Sequence, residues 1–140
     1  MKKNALFSVL NGVQSADVIC LGDMIEARRN VSVIKMPQKM LVMLKVRESA
    51  KNTLFYAGEA LACECTVAIE GVKGYAACLG DDVQKVRAMA VIDAALNAEL
   101  PERSDIIRAL GNWKRALAEN RSLESRLTMS TKVNFTVMEE

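Results

Sequence analysis

Ala60-Leu61-Ala62-Cys63-Glu64-Cys65-Thr66-Val67-Ala68-Ile69-Glu70 decides how the rest of the chain reads. Leu61, Cys63, Cys65, Val67 and Ile69 fall at every second position, with Ala60, Ala62, Glu64, Thr66, Ala68 and Glu70 between them. Successive side chains of a strand point to opposite faces, so a period of two held this long predicts a half-buried strand. Gly71-Val72-Lys73-Gly74 then supplies a turn, and Tyr75 to Leu79 returns as the second strand of an antiparallel hairpin.

Upstream, Val31-Ser32-Val33-Ile34-Lys35-Met36 is β-branched and reads as a strand that Pro37 ends. Lys39 to Arg47 alternates, with Met40, Val42, Leu44 and Val46 on one face, and the polar stretch Glu48 to Asn52 joins it to the next strand. Phe55 to Ala60 reads as a turn around Gly58. The first thirty residues have helical spacing, in Leu6, Val9, Leu10 and Val13, then in Val18, Leu21 and Ile25 after Ser15 as a cap. They form two short helices or one kinked helix.

Downstream, Gly80-Asp81-Asp82-Val83-Gln84 starts a helix, with Asp81 as cap and Gln84 reaching back. This Ala-rich helix is expected to run to about Glu99, before Leu100-Pro101 stops it. A second helical region carries Ile106, Ile107, Leu110, Trp113, Leu117, Leu123 and Leu127, with a weak point at Gly111. Val133 to Val137 reads as a closing strand. The pattern predicts an α+β class, a largely antiparallel sheet with flanking helices, in one domain over residues 1–140.

Composition narrows the function. The chain has 140 residues, 51% of them hydrophobic, which suits one packed core. Nineteen basic against seventeen acidic side chains give a net charge of +2, and aromatics are 4%. A protein that grips phosphate backbones carries a stronger basic footprint and base-stacking aromatics, so nucleic acid is set aside. The apolar run Ala5 to Leu10 soon meets Asn11, Gly12 and Gln14, which favours an amphipathic helix over a signal segment. No stretch is long enough to span a membrane. The expected setting is cytoplasmic, with reduced cysteines.

The chain contains no histidine. That removes the commonest general base and the commonest metal ligand, and no Ser–His or Cys–His pair is available from this chain alone. Cys63-Glu64-Cys65 invites a metal reading, but both thiols share the apolar face, and only Cys20 and Cys78 remain as further thiol ligands. Buried cysteines acting as small hydrophobes explain the same facts, so neither metal nor cofactor is expected. Asp82, Asp93 and Asn97 lie within roughly 60° of one another around the Ala-rich helix. Asp93 is there a ligand or base, or else part of a strip facing water or a partner's polar groups. Gly58, Gly71, Gly74 and Gly80 are spread over turns and make no phosphate loop. Arginines from Arg103 to Arg126 are mixed with acidic residues, as on a solvated helix face.

With these elements in place, the sequence resembles the G-subunit family (PhnG) of the phosphonate carbon–phosphorus lyase system. The likeness is carried by Ser8-Val9-Leu10 and Ser15-Ala16-Asp17, by Phe55-Tyr56-Ala57-Gly58-Glu59-Ala60, and by Gly74-Tyr75, Gly80 and Asp82. Ala90-Val91-Ile92-Asp93-Ala94-Ala95-Leu96 and Thr131-Lys132-Val133-Asn134-Phe135 extend it. The chain departs from the family at Lys85-Val86-Arg87, where a His-Ala-Glu-like stretch is usual. The resemblance implies a non-autonomous subunit of a core complex with H, I and J subunits, the L subunit being a further candidate. It implies support for ATP-dependent formation of ribose 1-phosphonate 5-triphosphate with release of adenine, a ribose 1-methylphosphonate 5-triphosphate synthase activity. Cleavage of the carbon–phosphorus bond then falls to the J subunit. The resemblance assigns no catalytic residue, and Gly58, Glu59, Gly74, Tyr75, Gly80 and Asp93 enter as motif residues of unknown role. Leu41, Met43, Leu54, Met89, Val91 and Ile92 exceed what one sheet face needs, fitting either a docking surface or a two-sided core. The competing reading is a stand-alone homodimeric small-ligand binder or enzyme using Asp93. A thiol-based metal or redox module ranks last.

Overall fold

The fold is a computed structural model describing residues 2–133. The elements are helices α1 (Lys3–Gly12) and α2 (Ser15–Glu26), strands β1 (Val31–Arg47), β2 (Leu54–Ile69) and β3 (Val72–Leu79), then helices α3 (Val83–Asn97) and α4 (Arg103–Ser130). The strands form one antiparallel sheet in the order β1-β2-β3. The expected α+β class and antiparallel sheet are what the chain adopts. The closing strand expected over 133–137 lies, from residue 134 on, outside the described residues.

Cys63, Cys65, Val67 and Ile69 of β2 and Ala76 and Cys78 of β3 make the buried sheet face, and α3 packs across it. The alternation predicted for β2 therefore holds from Cys63 to Val67, while Leu61 is exposed and Ala62 and Ala68, expected on the outer face, are buried as well. Helix α3 is buried around most of its circumference, because α2 covers its other side. Val86, Met89 and Ile92 are fully enclosed, each contributing roughly 1.5–3 kcal/mol of apolar burial. Small residues let the elements approach. A Cβ on Gly74 would lie 2.3 Å from both Ala90 O and Ala94 N of α3, and one on Gly22 would lie 2.7 Å from the Ala88 Cβ.

Five expectations are corrected. Pro37 does not end a strand: β1 runs through it as the edge of the sheet, with register shifts between Val33 and Lys35 and between Lys35 and Gln38. Proline has no N–H to give to a ladder, and an edge strand or bulge does not require one. Phe55–Ala60 is not a turn but the first half of β2, with Gly58 opposite Leu44 at a third irregularity. Its φ of 152° is closed to L side chains, which explains the glycine. The β2–β3 turn is shorter than expected, because Glu70 and Gly71 at φ 51° and 81° reverse the chain and Ile69 already pairs with Val72. Two left-handed residues match the twist of a hairpin. Asp82 rather than Asp81 caps α3, accepting from the Lys85 N–H at 2.9 Å. Ser15 is the first residue of α2, whose N-cap is Gln14 without a side-chain bond.

Candidate functional site

β3 is the second edge of the sheet, and its outward backbone groups need partners. Polar side chains from α1 and α3 supply them. Asn97 Nδ2 donates to Lys73 O at 3.0 Å, and the Tyr75 N–H donates to Asp93 Oδ2 at 3.1 Å. Asn11 then behaves like a length of strand: its Nδ2 donates to Ala77 O at 3.3 Å and its Oδ1 accepts the Leu79 N–H at 3.1 Å. Three side chains seal four edge groups.

Asp93 is the centre of this seam. It is 1% exposed, and its Oδ2 also accepts from Lys3 Nζ and Asn97 Nδ2, both at 3.2 Å. A buried carboxylate is retained only where donors replace water, and three do so here. Beside it a cavity of about 180 Å³ opens between α1, α3 and α4, lined by Lys3, Leu6, Asp93, Leu96, Asn97, Arg103, Ile107 and Leu110. The strip expected to face water or a partner is thus largely turned inward, Asp82 capping the helix while Asp93 and Asn97 meet β3.

Lys85, at the departure from the family pattern, is also buried. Its ammonium donates to Val13 O at 2.7 Å and Asn11 O at 3.2 Å. It sits at the C-terminal end of α1, where unsatisfied carbonyls and the helix dipole favour a cation. Arg87 forks onto Glu26 at 3.1 and 3.0 Å, tying α3 to α2.

Of the six motif residues, the structure brings Gly74, Tyr75 and Asp93 together and leaves three elsewhere. Gly80 turns the chain from β3 into α3 at φ 89°, and Gly58 and Glu59 lie in the distal part of β2. The Tyr75 hydroxyl donates to Glu64 Oε2 at 3.3 Å on the outer face, where Lys35 and Gln38 also bond Glu64. Those two hydrogen bonds hold the Glu64 carboxyl below its ordinary range. Burial, with the Glu64 charge second, raises the Tyr75 phenol.

Cys63, Cys65 and Cys78 are buried and free, as the core reading expected, and burial pushes the Cys65 and Cys78 thiols up. Cys63 and Cys78 are direct cross-strand partners. Among the described residues, no three Cys, Asp or Glu side chains gather as a metal site would require.

The second feature is an arm. From Leu41, paired with Leu61, to Arg47, paired with Leu54, β1 and β2 continue beyond β3 as a ribbon of two strands. At about 3.4 Å per residue it extends roughly 20 Å. Apolar side chains line both faces: Leu41 is 64% exposed, Met43 57% and Tyr56 60%, with Leu44, Leu54 and Phe55 also open. The apolar surplus in the sequence therefore divides, Leu41, Met43 and Leu54 going to the arm and Met89, Val91 and Ile92 to a two-sided core. Helix α4 is likewise exposed along residues 121–130, including Leu123 and Leu127.

Sequence reasoning missed Lys3, Asn11 and Lys85. Their partners lie 66 to 90 positions away, so no local spacing marks them.

The fold and seam define an α+β protein, an open antiparallel sheet with one edge sealed by side chains and the other edge extended into an arm. The family of phosphonate metabolism protein PhnG matches residues 1–139, and the chain belongs to that family. Its involvement in phosphonate metabolism follows from that membership. A search of curated proteins returns no match.

Proposed function

We propose that this chain is a non-autonomous subunit of the carbon–phosphorus lyase core complex, docked on its partners through the arm. The partners are the H, I and J subunits, with the L subunit joining for ATP-dependent formation of ribose 1-phosphonate 5-triphosphate and release of adenine. One observation carries the reading: the arm exposes apolar side chains on both faces. A two-stranded ribbon is marginal in water by itself, and an apolar surface of this kind marks an interaction site. Family membership supports the phosphonate setting. The three buried thiols fit a reducing cytoplasm. In this reading the catalytic groups come from the partners, and Asp93 Oδ2 serves the fold by accepting from the Tyr75, Lys3 and Asn97 donors.

Co-expression with the H, I and J subunits tests this. The unaltered chain is expected to co-purify with them, while Met43→Glu combined with Phe55→Lys keeps its circular dichroism spectrum and is lost from the complex. Retention of the double variant at full stoichiometry, or failure of the unaltered chain to join, overturns the proposal.

A further inference from the structure

We infer that the free edge of the arm, from Lys39 to Arg47 of β1, takes up an extended acidic segment of a partner protein as an added antiparallel strand. The inference deepens the docking function proposed above and rests on it for its setting. It names the edge that is used and the chemistry that the incoming segment must carry.

Among the described residues β1 is an edge of the sheet, and two hydrogen bonds fix which of its backbone groups are free. Leu61 O accepts the Gly80 N–H at 2.9 Å, so the Leu61 backbone faces β3 and its partner Leu41 turns its own N–H and C=O outward. At the tip, the Glu48 N–H donates to Thr53 O at 3.0 Å, which turns the groups of the neighbouring Arg47 outward as well. Alternation between these two points makes Lys39, Leu41, Met43, Lys45 and Arg47 the outward set. The irregularity beside Leu44 does not break it, because the extra residue there is Ala57 on β2. Pro37 and the register shifts before Gln38 confine strand addition to this stretch.

The same residues share one face of the strand, and all are exposed. Lys39, Lys45 and Arg47 make that face cationic. β1 as a whole carries these three and Lys35 with no acidic residue, although the chain is nearly balanced in charge. Lys39 reaches Asp81 at 3.5 Å with both side chains mostly open, a weak pair that an incoming carboxylate can replace. Arg47 gives Nη1 to Asn52 O at 2.7 Å and keeps its other donors.

Such an edge repels its own copy. Two-fold pairing centred on Val42 sets Lys39 against Lys45, and pairing centred on Met43 sets Lys39 against Arg47; like charges directly opposite are destabilising. Edge lysines protect a sheet from self-association, but a strand that needs only protection is kept short. This one is long and holds Leu41 and Met43 open between its charges. Exclusion of the copy together with apolar contact area specifies a strand of different sequence. Where a strand adds to an edge, main-chain bonds hold it and alternate side chains select it. Opposite Arg47, Lys45, Met43, Leu41 and Lys39, the matching segment therefore reads acidic-x-acidic-x-apolar-x-apolar-x-acidic from its N-terminus.

The test is amide hydrogen exchange of the full chain, followed by NMR and titrated with acetyl-Glu-Thr-Glu-Thr-Val-Thr-Val-Thr-Glu-amide. Two further peptides are compared, one with lysine in place of each glutamate and one with the same composition ordered Glu-Glu-Glu-Thr-Thr-Thr-Thr-Val-Val. The first peptide is expected to slow exchange saturably at the outward N–H groups of Leu41, Met43 and Lys45. It should bind more tightly than the reordered peptide, and about tenfold more tightly than the lysine peptide, since three charge pairs change sign. Lys39→Glu combined with Lys45→Glu, both at exposed positions, should reverse the preference toward the lysine peptide, a gain that an unfolded variant cannot show. The inference is overturned if these amides do not slow, if the three peptides act alike, or if the double variant keeps the preference of the unaltered chain. Protection of the same amides without peptide also overturns it. Protection that fades on dilution assigns the edge to a second copy, and protection at every dilution assigns it to the chain's own residues 134–140. A chain that binds the acidic peptide but never joins the H, I and J subunits refutes the proposed function alone; one that joins them and gains no protection from the peptide refutes this inference alone.

Discussion

Gly74→Ala is expected to be among the most damaging single-methyl additions in the chain. The new Cβ would sit 2.3 Å from Ala90 O and 2.3 Å from Ala94 N, where ordinary contact begins at 3.4 Å. Both obstructing atoms are helix backbone, so no rotamer change relieves them, and α3 must withdraw from β3 by about 1 Å. Overpacking costs about 1–3 kcal/mol, and a rigid obstruction puts this case at the upper end. The same withdrawal stretches the Tyr75–Asp93 hydrogen bond at the buried carboxylate and the exposed Lys73–Asn97 bond, adding about 1–2 kcal/mol, most of it at Asp93. A total of about 4 kcal/mol is a large share of the 5–15 kcal/mol that holds a typical domain. With a urea dependence of about 2 kcal/mol per molar, the unfolding midpoint falls by about 2 M. Urea titration followed by circular dichroism measures it. Gly111→Ala is the control: nothing lies within 4 Å of its Cβ position in α4, and replacing a mid-helix glycine stabilises by roughly 0.5–1 kcal/mol. If Gly74→Ala loses less than about 1 kcal/mol, or no more than Gly111→Ala, the close approach of α3 and β3 is wrong.

The thiols give a second expectation. Cys20 is exposed while Cys63, Cys65 and Cys78 are buried, so a thiol reagent at mildly alkaline pH modifies one cysteine rapidly and three only on unfolding; two fast thiols would contradict the packing of β2 on α3. Acid stability gives the third. Asp82 titrates below its ordinary 3.8 because of hydrogen bonds from the Ser15 hydroxyl and the Lys85 N–H. Glu102 lies below its ordinary 4.5 through its own backbone N–H and then Arg29, and Glu64 behaves alike through Lys35 and Gln38. Depressed carboxylates are protonated first in the unfolded chain, so their contribution is full above the ordinary values and is lost as pH falls through the folded ones. The melting temperature is therefore expected to hold between about pH 6 and 8 and to decline below about 4.5, the ordinary carboxylate value. Asp82→Asn, which keeps an N-cap of similar quality, should shallow that decline; an unchanged slope would remove Asp82 from the account.

Legibility followed the range of the interactions. The Ala60–Glu70 alternation and the Ala-rich helix are local patterns, and both elements formed where they were read. The Phe55–Ala60 segment was misread because Gly58 resembles a turn signal, whereas its conformation serves a bulge opposite Leu44. Pro37 misled for a related reason: whether a proline ends a strand depends on its being an edge, which is a property of the whole sheet. Of the site, Asp93 and Asn97 were legible as neighbours on one helix face. That the face turns inward, against the Tyr75 N–H and Lys3, was not, because burial of Asp93 depends on α1 and β3 arriving from distant parts of the chain.

The two edges of the sheet are unlike, and the difference controls how far association can proceed. Asn11, Asp93 and Asn97 occupy four of the outward groups of β3, leaving β1 as the long edge on which a foreign strand can add. Two copies meeting β1 to β1 would be related by a two-fold axis and would present outward the capped β3 strands and, in each arm, the short second edge of β2 beyond Ala62. Further growth would be confined to that short arm edge, a smaller propagating hazard than a sheet exposed along both full sides.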